Sequence, residues 1–315
     1  MEKIKSLSVI CPVYNEQEVI SQFIIELTDV LKSIEGRYTW DIMFVLDRST
    51  DLTLEILKDA ANKYRNIKVL VLSSRFGHQM SLVAGIDHCE SDIIIMMDSD
   101  LQHPPKLIPK LLDTYEAGND IVFTIRNESL DKNPIKRLGS NFFYILINFL
   151  SDIPLESGEA DYRLISKRVA SIFRNNIRER NQFLRGLFSW VGFPRKGIRY
   201  DPAKRTHGES KYTWARSIKF ALSGIVSFSR KPLRYAIIVG LVFALFGLLL
   251  ASYSFFMYFY DEQVPTGWTT LSIVISVFGG LQFLFFGILG EYIGSIFDEV
   301  KARPLYIVEE RFNID

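Results

Sequence analysis

Ser91-Asp92-Ile93-Ile94-Ile95-Met96-Met97-Asp98-Ser99-Asp100-Leu101-Gln102-His103-Pro104-Pro105 is the stretch whose reading decides the fold. Its apolar first half reads as a buried β-strand. Side chains alternate with period two along a strand, so Asp98 and Asp100 at its end point the same way. A carboxylate pair so placed can share one hard divalent cation, which keeps its remaining sites for water and phosphate oxygens. The competing reading is two solvated acids in a turn, because an isolated Asp-x-Asp is a short pattern. Its surroundings have to choose between the two.

Working outward, the chain alternates strand and helix. Strands are predicted at Leu7 to Val13, Asp41 to Leu46, Ile67 to Leu72, Ile93 to Met97 and Asp120 to Thr124. Helices are predicted between them, at Glu18 to Leu31, Leu52 to Tyr64, Gln79 to His88 and Pro105 to Tyr115. Near-continuous apolar strands alternating with helices imply an α/β fold with a doubly wound, mostly parallel sheet. Such sheets bind ligands beyond the carboxyl ends of their strands. Polar residues fall there: Tyr14-Asn15-Glu16, Asp47-Arg48-Ser49, Ser74-Arg75-Phe76-Gly77-His78, the Asp98/Asp100 pair, and Arg126. Successive strand ends thus converge on one rim, a far more specific signal than the acid pair alone. The chain has neither a G-x-G-x-x-G after its first strand nor a G-x-x-x-x-G-K-[ST], so dinucleotide and P-loop readings lack their glycines.

Composition narrows the partners. With 37 basic against 36 acidic residues the net charge is +1, which gives no argument for nucleic acid. Two cysteines, Cys11 and Cys89, suggest neither a disulfide framework nor a metal knuckle; both read as small buried apolar residues. No apolar core follows the basic N-terminal residues before Asn15 and Glu16, so a signal peptide is not expected.

The apolar mass lies near the C-terminus. Tyr235 to Tyr260 and Val264 to Gly290 carry no charged residue. Each exceeds the roughly 20 residues that a helix needs to cross a bilayer core. Small residues recur in both, at Gly240, Gly247 and Ala251, then Gly279, Gly280, Gly287 and Gly290, as close packing of helices in lipid would favour. A pair of buried core helices is the alternative. Arg230, Lys231 and Arg234 precede the first span and Lys301 and Arg303 follow the second, whereas the link Asp261-Glu262-Gln263 has no Lys or Arg. The positive-inside rule therefore predicts a cytoplasmic domain tethered by a C-terminal hairpin. Upstream, Trp214, Ile218, Leu222 and Ile225 recur at helical spacing, as in an interfacial helix or a core-facing one. Phe142, Phe143, Ile145, Leu146 and Phe149 make a second candidate for membrane contact. The expected division is a domain at 1–212, a juxtamembrane helix at 213–231, a hairpin at 232–292 with spans about 235–259 and 267–290, and a tail at 293–315.

Val9-Ile10-Cys11-Pro12-Val13-Tyr14-Asn15-Glu16, Ser74-Arg75-Phe76-Gly77-His78, Asp98-Ser99-Asp100-Leu101-Gln102-His103-Pro104-Pro105 and Gly158-Glu159-Ala160-Asp161-Tyr162-Arg163-Leu164 resemble the family 2 glycosyltransferases of the GT-A fold. Phe183-Leu184-Arg185-Gly186-Leu187-Phe188-Ser189-Trp190-Val191-Gly192, His207-Gly208-Glu209-Ser210-Lys211-Tyr212, Gly290-Glu291-Tyr292-Ile293-Gly294 and Glu299-Val300-Lys301-Ala302-Arg303-Pro304 continue the resemblance to the end of the chain. It is closest to the polyprenyl-phosphate glycosyltransferases, such as dolichol-phosphate mannose synthases and bactoprenol glucosyltransferases. The resemblance implies that Pro12, Tyr14, Glu16 and Asp47 hold the nucleoside part of a sugar donor, UDP-linked by preference. It implies that Asp98, Asp100 and Gln102 place Mg²⁺ or Mn²⁺ on the donor diphosphate, with Arg205 and Lys211 closing over it. It puts Arg126, Arg137 and Ser140 near the acceptor phosphate and makes Asp161 the match of the acid often proposed as base, with orientation of Arg163 or the acceptor as the other role. The implied activity is inverting transfer of glucose or a related hexose to undecaprenyl phosphate at the bacterial inner membrane, for O-antigen, lipopolysaccharide or cell-wall glycans. The resemblance also makes a homo-oligomer an expectation.

One departure stands out. Arg48 occupies the place where the family usually has the Gly of Asp-Gly-Ser, and a Gly there eases a tight turn. Arg48 either reaches a diphosphate or carboxylate of the donor or is solvated. His103 is expected to be structural and His78 a polar group of its loop. Alternatives of other classes are a processive polysaccharide synthase, whose Q-x-x-R-W residues are absent, and an inactive scaffold that binds nucleotide sugars or lipid.

Overall fold

The computed structural model describes residues 4–127, 158–201, 224, 226, 228–260 and 267–314. The predicted strands form where expected: β1 (Lys5–Val13), β2 (Tyr38–Leu46), β3 (Ile67–Leu72), β4 (Ile93–Met96) and β5 (Ile121–Arg126). Helices α1 (Ile20–Ser33), α2 (Thr53–Lys63), α3 (His78–Asp87) and α4 (Ile108–Glu116) alternate with them, α4 entered through a 3₁₀ turn at Pro105–Leu107. Strands β6 (Glu159–Ser166), β7 (Arg195–Tyr200) and β8 (Val308–Phe312), and helices α5 (Lys167–Asn175) and α6 (Leu184–Trp190), complete the domain.

All eight strands share one sheet, in the order β7-β5-β6-β4-β1-β2-β3-β8. The β4-β1-β2-β3 centre is parallel. Period two divides its side chains between two cores. Val9, Cys11 and Val13 face one with Phe23 and Leu27 of α1 and Leu111 of α4; Ile10 faces the other with Leu82 and Ile86 of α3 and Phe188 of α6. Helices on both faces explain why the central strands are apolar throughout.

Two features depart from simple alternation. β6 lies antiparallel between β4 and β5, with Met96 opposite Arg163, so β5 still runs in the direction of β4. Its Arg126 therefore reaches the same rim as the ends of the central strands, and the rim also receives the start of β6. The second departure is the tail. Residues 308–312, beyond the long apolar C-terminal segments, pair antiparallel with β3, covering an edge that would otherwise be open. Lys58 ion-pairs with Glu310 at 2.8 Å and lies over the Phe312 ring, and Asn313 Nδ2 donates to the carbonyls of Ala61 and Ile67. The segment expected to be a tail is thus part of the sheet.

Helices α7 (Lys231–Tyr260) and α8 (Trp268–Lys301) are long and apolar enough to cross a bilayer. None of either candidate span is buried in the protein, which removes the core-helix alternative. The second helix runs past the expected end at 290 to Lys301, where Ala302 turns it off in a left-handed conformation (φ 49°). α7 and α8 meet through Phe243 and Phe278, rings 5.5 Å apart. Gly240, Gly279, Gly280, Gly287 and Gly290 have open space where a Cβ would stand, and Gly247 lies near Phe278. Of the predicted juxtamembrane helix only Gly224, Val226 and residues 228–231 are described, and the Phe142–Phe149 stretch lies outside the described residues.

Gly85 of α3 faces β1 so closely that a Cβ there would meet Ile10 Cγ2 at 2.3 Å. Gly85→Ala should lower stability by about 1–3 kcal/mol through overpacking. Thermal unfolding should show the loss, and Ile10→Ala in the same chain should make the double variant less destabilised than the sum of the singles.

Candidate active site

The site is built at the carboxyl ends of β1 to β4, where strand order reverses between β1 and β4. A cavity of roughly 260 Å³ opens there, lined by Pro12, Tyr14 and Glu16 after β1, Asp47 after β2, Arg75, Gly77 and His78 after β3, and Asp98 and Asp100 after β4. These are loops that the sequence places at the rim, and the sheet brings them together.

Asp47 ties three strand ends. Its amide donates to the carbonyl of Val13, and its two carboxylate oxygens accept the N–H groups of Phe76 (2.8 Å) and Gly77 (2.9 Å). Asp47 is 3% exposed, so its first task is to shape the loop that enters α3. That loop requires Gly77, whose φ of 93° and ψ of 164° side chains do not readily adopt. Across the rim, the Asn15 amide donates to Ser49 Oγ and Asn15 Oδ1 accepts from the Thr50 amide, with Asn15 itself at φ 52°. Arg75 stacks over the Tyr14 ring, 4.0 Å from its centroid, inside the cavity. Arg48 points elsewhere: it is exposed and donates to the carbonyl of Ser73 at 3.0 Å. Its backbone is not in the left-handed region, so this turn does without the glycine.

The Asp98 loop turns sharply. Leu101 sits at φ 61°, a strained conformation for this residue type, and the Gln102 amide donates back to Asp100 Oδ1 at 3.1 Å. Gln102 does not line the cavity. Asp98 Oδ1 pairs with His78 Nε2 at 2.7 Å, and its Oδ2 lies 3.6 Å from His103 Nδ1. Partial desolvation opposes charge on His78, but Asp98 outweighs it and pushes the imidazole up to about 9. Asp98 is itself desolvated, yet His103 and His78 hold it well below the usual carboxylate range. His103 is fully buried, stacked on Tyr162 (5.2 Å between centroids), with Arg126 Nη2 3.0 Å from its Nε2. Donors face both ring nitrogens, because a guanidinium only donates and the Asp98 amide donates to Nδ1 at 3.0 Å. Burial, reinforced by Arg126, lowers the His103 pKa against the pull of Asp98. Arg126 is fixed further by Tyr200 Oη at 3.1 Å.

Asp161 comes to this group from the start of β6. Arg185 of α6 grips it twice, Nε to Oδ1 and Nη2 to Oδ2, both 2.9 Å, and Arg163 adds a contact at 3.5 Å. Burial opposes the charge, but Arg185 outweighs it and holds Asp161 far below the usual range. A carboxylate so firmly ionised is a weak proton acceptor and a strong orienting group. Sequence reasoning placed Arg75 on the rim and quoted Arg185 within a motif, but gave neither a role and did not find the pairing of His78 with Asp98. The partners of each are remote in sequence, and no local pattern links them. Arg137, Ser140, Arg205 and Lys211 lie outside the described residues.

Asp98 and Asp100 offer hard oxygen donors on one wall of the cavity, and no cluster of three or more His, Cys, Asp or Glu surrounds a point among the described residues. That donor set fits a hard divalent cation that shares its coordination with a phosphate-bearing substrate, and does not fit a closed structural metal site.

Arg185 and Asp161 make a pH-dependent contribution. The folded pKa of Asp161 is depressed, so its stabilisation is complete above the unfolded value of about 4 and is lost as pH falls below it. Arg185→Gln should destabilise the protein by about 3 kcal/mol near pH 7 by leaving a buried charge without its partner. Thermal midpoints measured from about pH 7 to pH 3 should show the gap between the two proteins narrowing below roughly pH 4.

The glycosyl transferase family 2 profile matches residues 8–173. The chain is 33% identical to the uncharacterized glycosyltransferase YkcC of Bacillus subtilis, over 98% of this chain and 94% of that one. It is 34% identical to the SfII prophage-derived bactoprenol glucosyl transferase of Shigella flexneri, over 96% and 97%. A prophage bactoprenol glucosyl transferase homolog of Escherichia coli is also 34% identical, over 96% and 98%. Among solved structures, the Mycobacterium tuberculosis glucosyl-3-phosphoglycerate synthase bound to Mn²⁺, UDP-glucose and phosphoglyceric acid aligns with a TM-score of 0.45 at 17% identity, covering 70% of this chain and 78% of that one. With the family profile spanning the strands that build the rim, and relatives at one-third identity from end to end, the chain belongs to glycosyl transferase family 2 and is a glycosyltransferase.

Proposed function

We propose that this glycosyltransferase moves a hexose, glucose by preference, from a UDP-sugar to undecaprenyl or another polyprenyl phosphate, with inversion and with a divalent metal. One observation carries the acceptor. The chain aligns over 96% of its length, apolar helices included, with proteins named bactoprenol glucosyl transferase. The two helices support a multi-pass protein of the bacterial inner membrane, and the basic residues flanking them support a cytoplasmic catalytic domain. A polyprenyl tail would then stay in lipid while its phosphate meets the strand-end cavity.

Asp98 and Asp100 would hold Mg²⁺ or Mn²⁺, which as a Lewis acid would stabilise charge on the departing diphosphate; Gln102, outside the cavity lining, has no part in holding it. The residues of the chain do the rest by positioning. Tyr14, Glu16 and Arg75 line the cavity where the nucleoside part would lie, and Pro12 and Asp47 shape it. Arg126, held by His103 and Tyr200, would orient the acceptor phosphate together with Arg137 and Ser140. Arg205 and Lys211 would close over the diphosphate. An acceptor phosphate oxygen attacks the anomeric carbon while the bond to the diphosphate oxygen breaks, its electron pair leaving with the nucleoside diphosphate. A phosphate monoester is already largely ionised near neutral pH, its second pKa being about 6. No proton needs to be removed, and Asp161 serves by fixing Arg185 and Arg163.

Radiolabelled UDP-glucose and undecaprenyl phosphate test the reading with the full chain in detergent. Organic-extractable label is expected, with an inverted anomeric configuration by NMR. Insoluble polymer would indicate a polysaccharide synthase, and no product from a panel of nucleotide sugars would indicate a binding scaffold. Asp100→Ala should lower turnover at least 100-fold, and EDTA should abolish it until Mg²⁺ or Mn²⁺ is restored; full activity in either case would remove the metal from the mechanism.

A further inference from the structure

We infer that the protein carries a second anion site, remote from the strand-end cavity, that takes a phosphate-bearing solute. It is the open cleft of roughly 680 Å³ between the end of α3, the turn after α5 and the segment that returns from α8 to β8. Arg178, Arg180, Arg311 and His88 line it together with Tyr306, and no carboxylate is among the described residues of its lining.

One of these cations is paired with a carboxylate, and the others are held in place by neutral partners. Asp87, beneath the cleft, accepts from Arg178 with both oxygens at 2.8 Å and from Tyr306 Oη at 2.8 Å, which satisfies one guanidinium. Arg180 has no such partner. Its Nη1 reaches only the carbonyl of Arg178 at 3.3 Å, and its Nε is buried without a hydrogen bond among the described residues. Glu299, the nearby acid, is taken by the backbone amide of Arg180. Arg311 Nη2 faces His88 Nε2 at 3.4 Å. His88 Nδ1 lies 2.9 Å from the carbonyl of Ala84, which can only accept, so the ring proton is on Nδ1 and Nε2 is a neutral acceptor. Arg311 is therefore positioned without losing its charge, and Glu310 beside it pairs with Lys58.

Two guanidiniums with no ion-pair partner among the described residues, with a further Arg and a Tyr hydroxyl, are the chemistry of phosphate recognition, because the planar fork matches the oxygens of a phosphate. The cleft is large enough for a small phosphate ester. Its place favours a soluble ligand over a lipid headgroup. Helix α8 continues from the end of its charge-free run at Gly290 to Lys301 before the cleft begins. At 1.5 Å per residue that is about 16 Å, whereas the headgroup layer adds roughly 5–7 Å to each side of the bilayer core. The cleft also joins segments distant in sequence. One end of α3 carries Gly77 and His78 in the strand-end cavity, and the other end carries Asp87 and His88 here. An occupant would bridge α3 to the segment that leads out of the membrane helix.

Inorganic pyrophosphate with EDTA, added to the full-length protein in detergent, is the probe. A saturable rise in thermal midpoint is expected in the wild type and in Asp100→Ala. In Arg180→Gln/Arg311→Gln the apparent affinity should fall at least tenfold. Arg311 is exposed on the edge strand, so Arg311→Gln alone tests the site without endangering the fold, and ³¹P line broadening gives a second reading. A shift that appears only when phosphatidylcholine nanodiscs are replaced by phosphatidylglycerol ones, and is lost in the double variant, would overturn the soluble source and assign the site to a headgroup. An absent shift, or one equal in the double variant, would overturn the site.

Discussion

The pairing of β6 against β4, with Met96 opposite Arg163, is the constraint on which the site depends. It runs antiparallel, so the beginning of β6 lies beside the end of β4, and Asp161 enters the neighbourhood of Asp98. The same pairing buries Arg163 at 1% exposure next to Glu159, with its guanidinium over the Phe188 ring. Taking these charges from water is costly, and their mutual attraction with Arg185 offsets the cost only while every partner is present. The cluster therefore contributes a fixed arrangement of charge more than net stability. Such preorganised charge is what stabilisation of a departing anion requires.

Asp98 stands between two supports of different character. On the cavity side His78 faces it from the start of α3; on the other, buried His103 relays to Arg126 and Tyr200. Both histidines lie in stretches that the sequence marks, but their pairing with Asp98 depends on the fold. The Asp98-Ser99-Asp100 motif, by contrast, follows directly from a strand ending in acids, and its alternation needed no tertiary information. Asp47 was legible as a rim residue, but not its two bonds to the Phe76 and Gly77 amides, which depend on β2 and β3 being neighbours.

The hairpin is fastened to the domain at both ends. Tyr292 Oη of α8 donates to the carbonyl of Ser229 at the entry to α7, and beyond Lys301 the chain returns to pair with β3. Near the entry, Gly186 of α6 lies so close to Phe183 and Phe228 that a Cβ would meet their rings at 2.6 and 2.7 Å. Its neighbour Arg185 holds Asp161. Gly186, packed under Phe228 just before α7, is thus the sequence neighbour of the residue that grips Asp161.

The sequence by itself determined the α/β alternation, the polar rim, the acid pair and the two long apolar helices. Each is a local property: the period of apolar residues, the residue types at strand ends, or the length of an uncharged run. It did not reveal that β6 inserts antiparallel or that the tail closes the sheet. Nor did it reveal that Arg185, rather than solvent, surrounds Asp161. Those depend on which strand edge a segment finds and which remote charge comes to meet it. Strand order and buried ion pairing are decided by competition among distant segments for the same surface, and only the assembled fold resolves that competition.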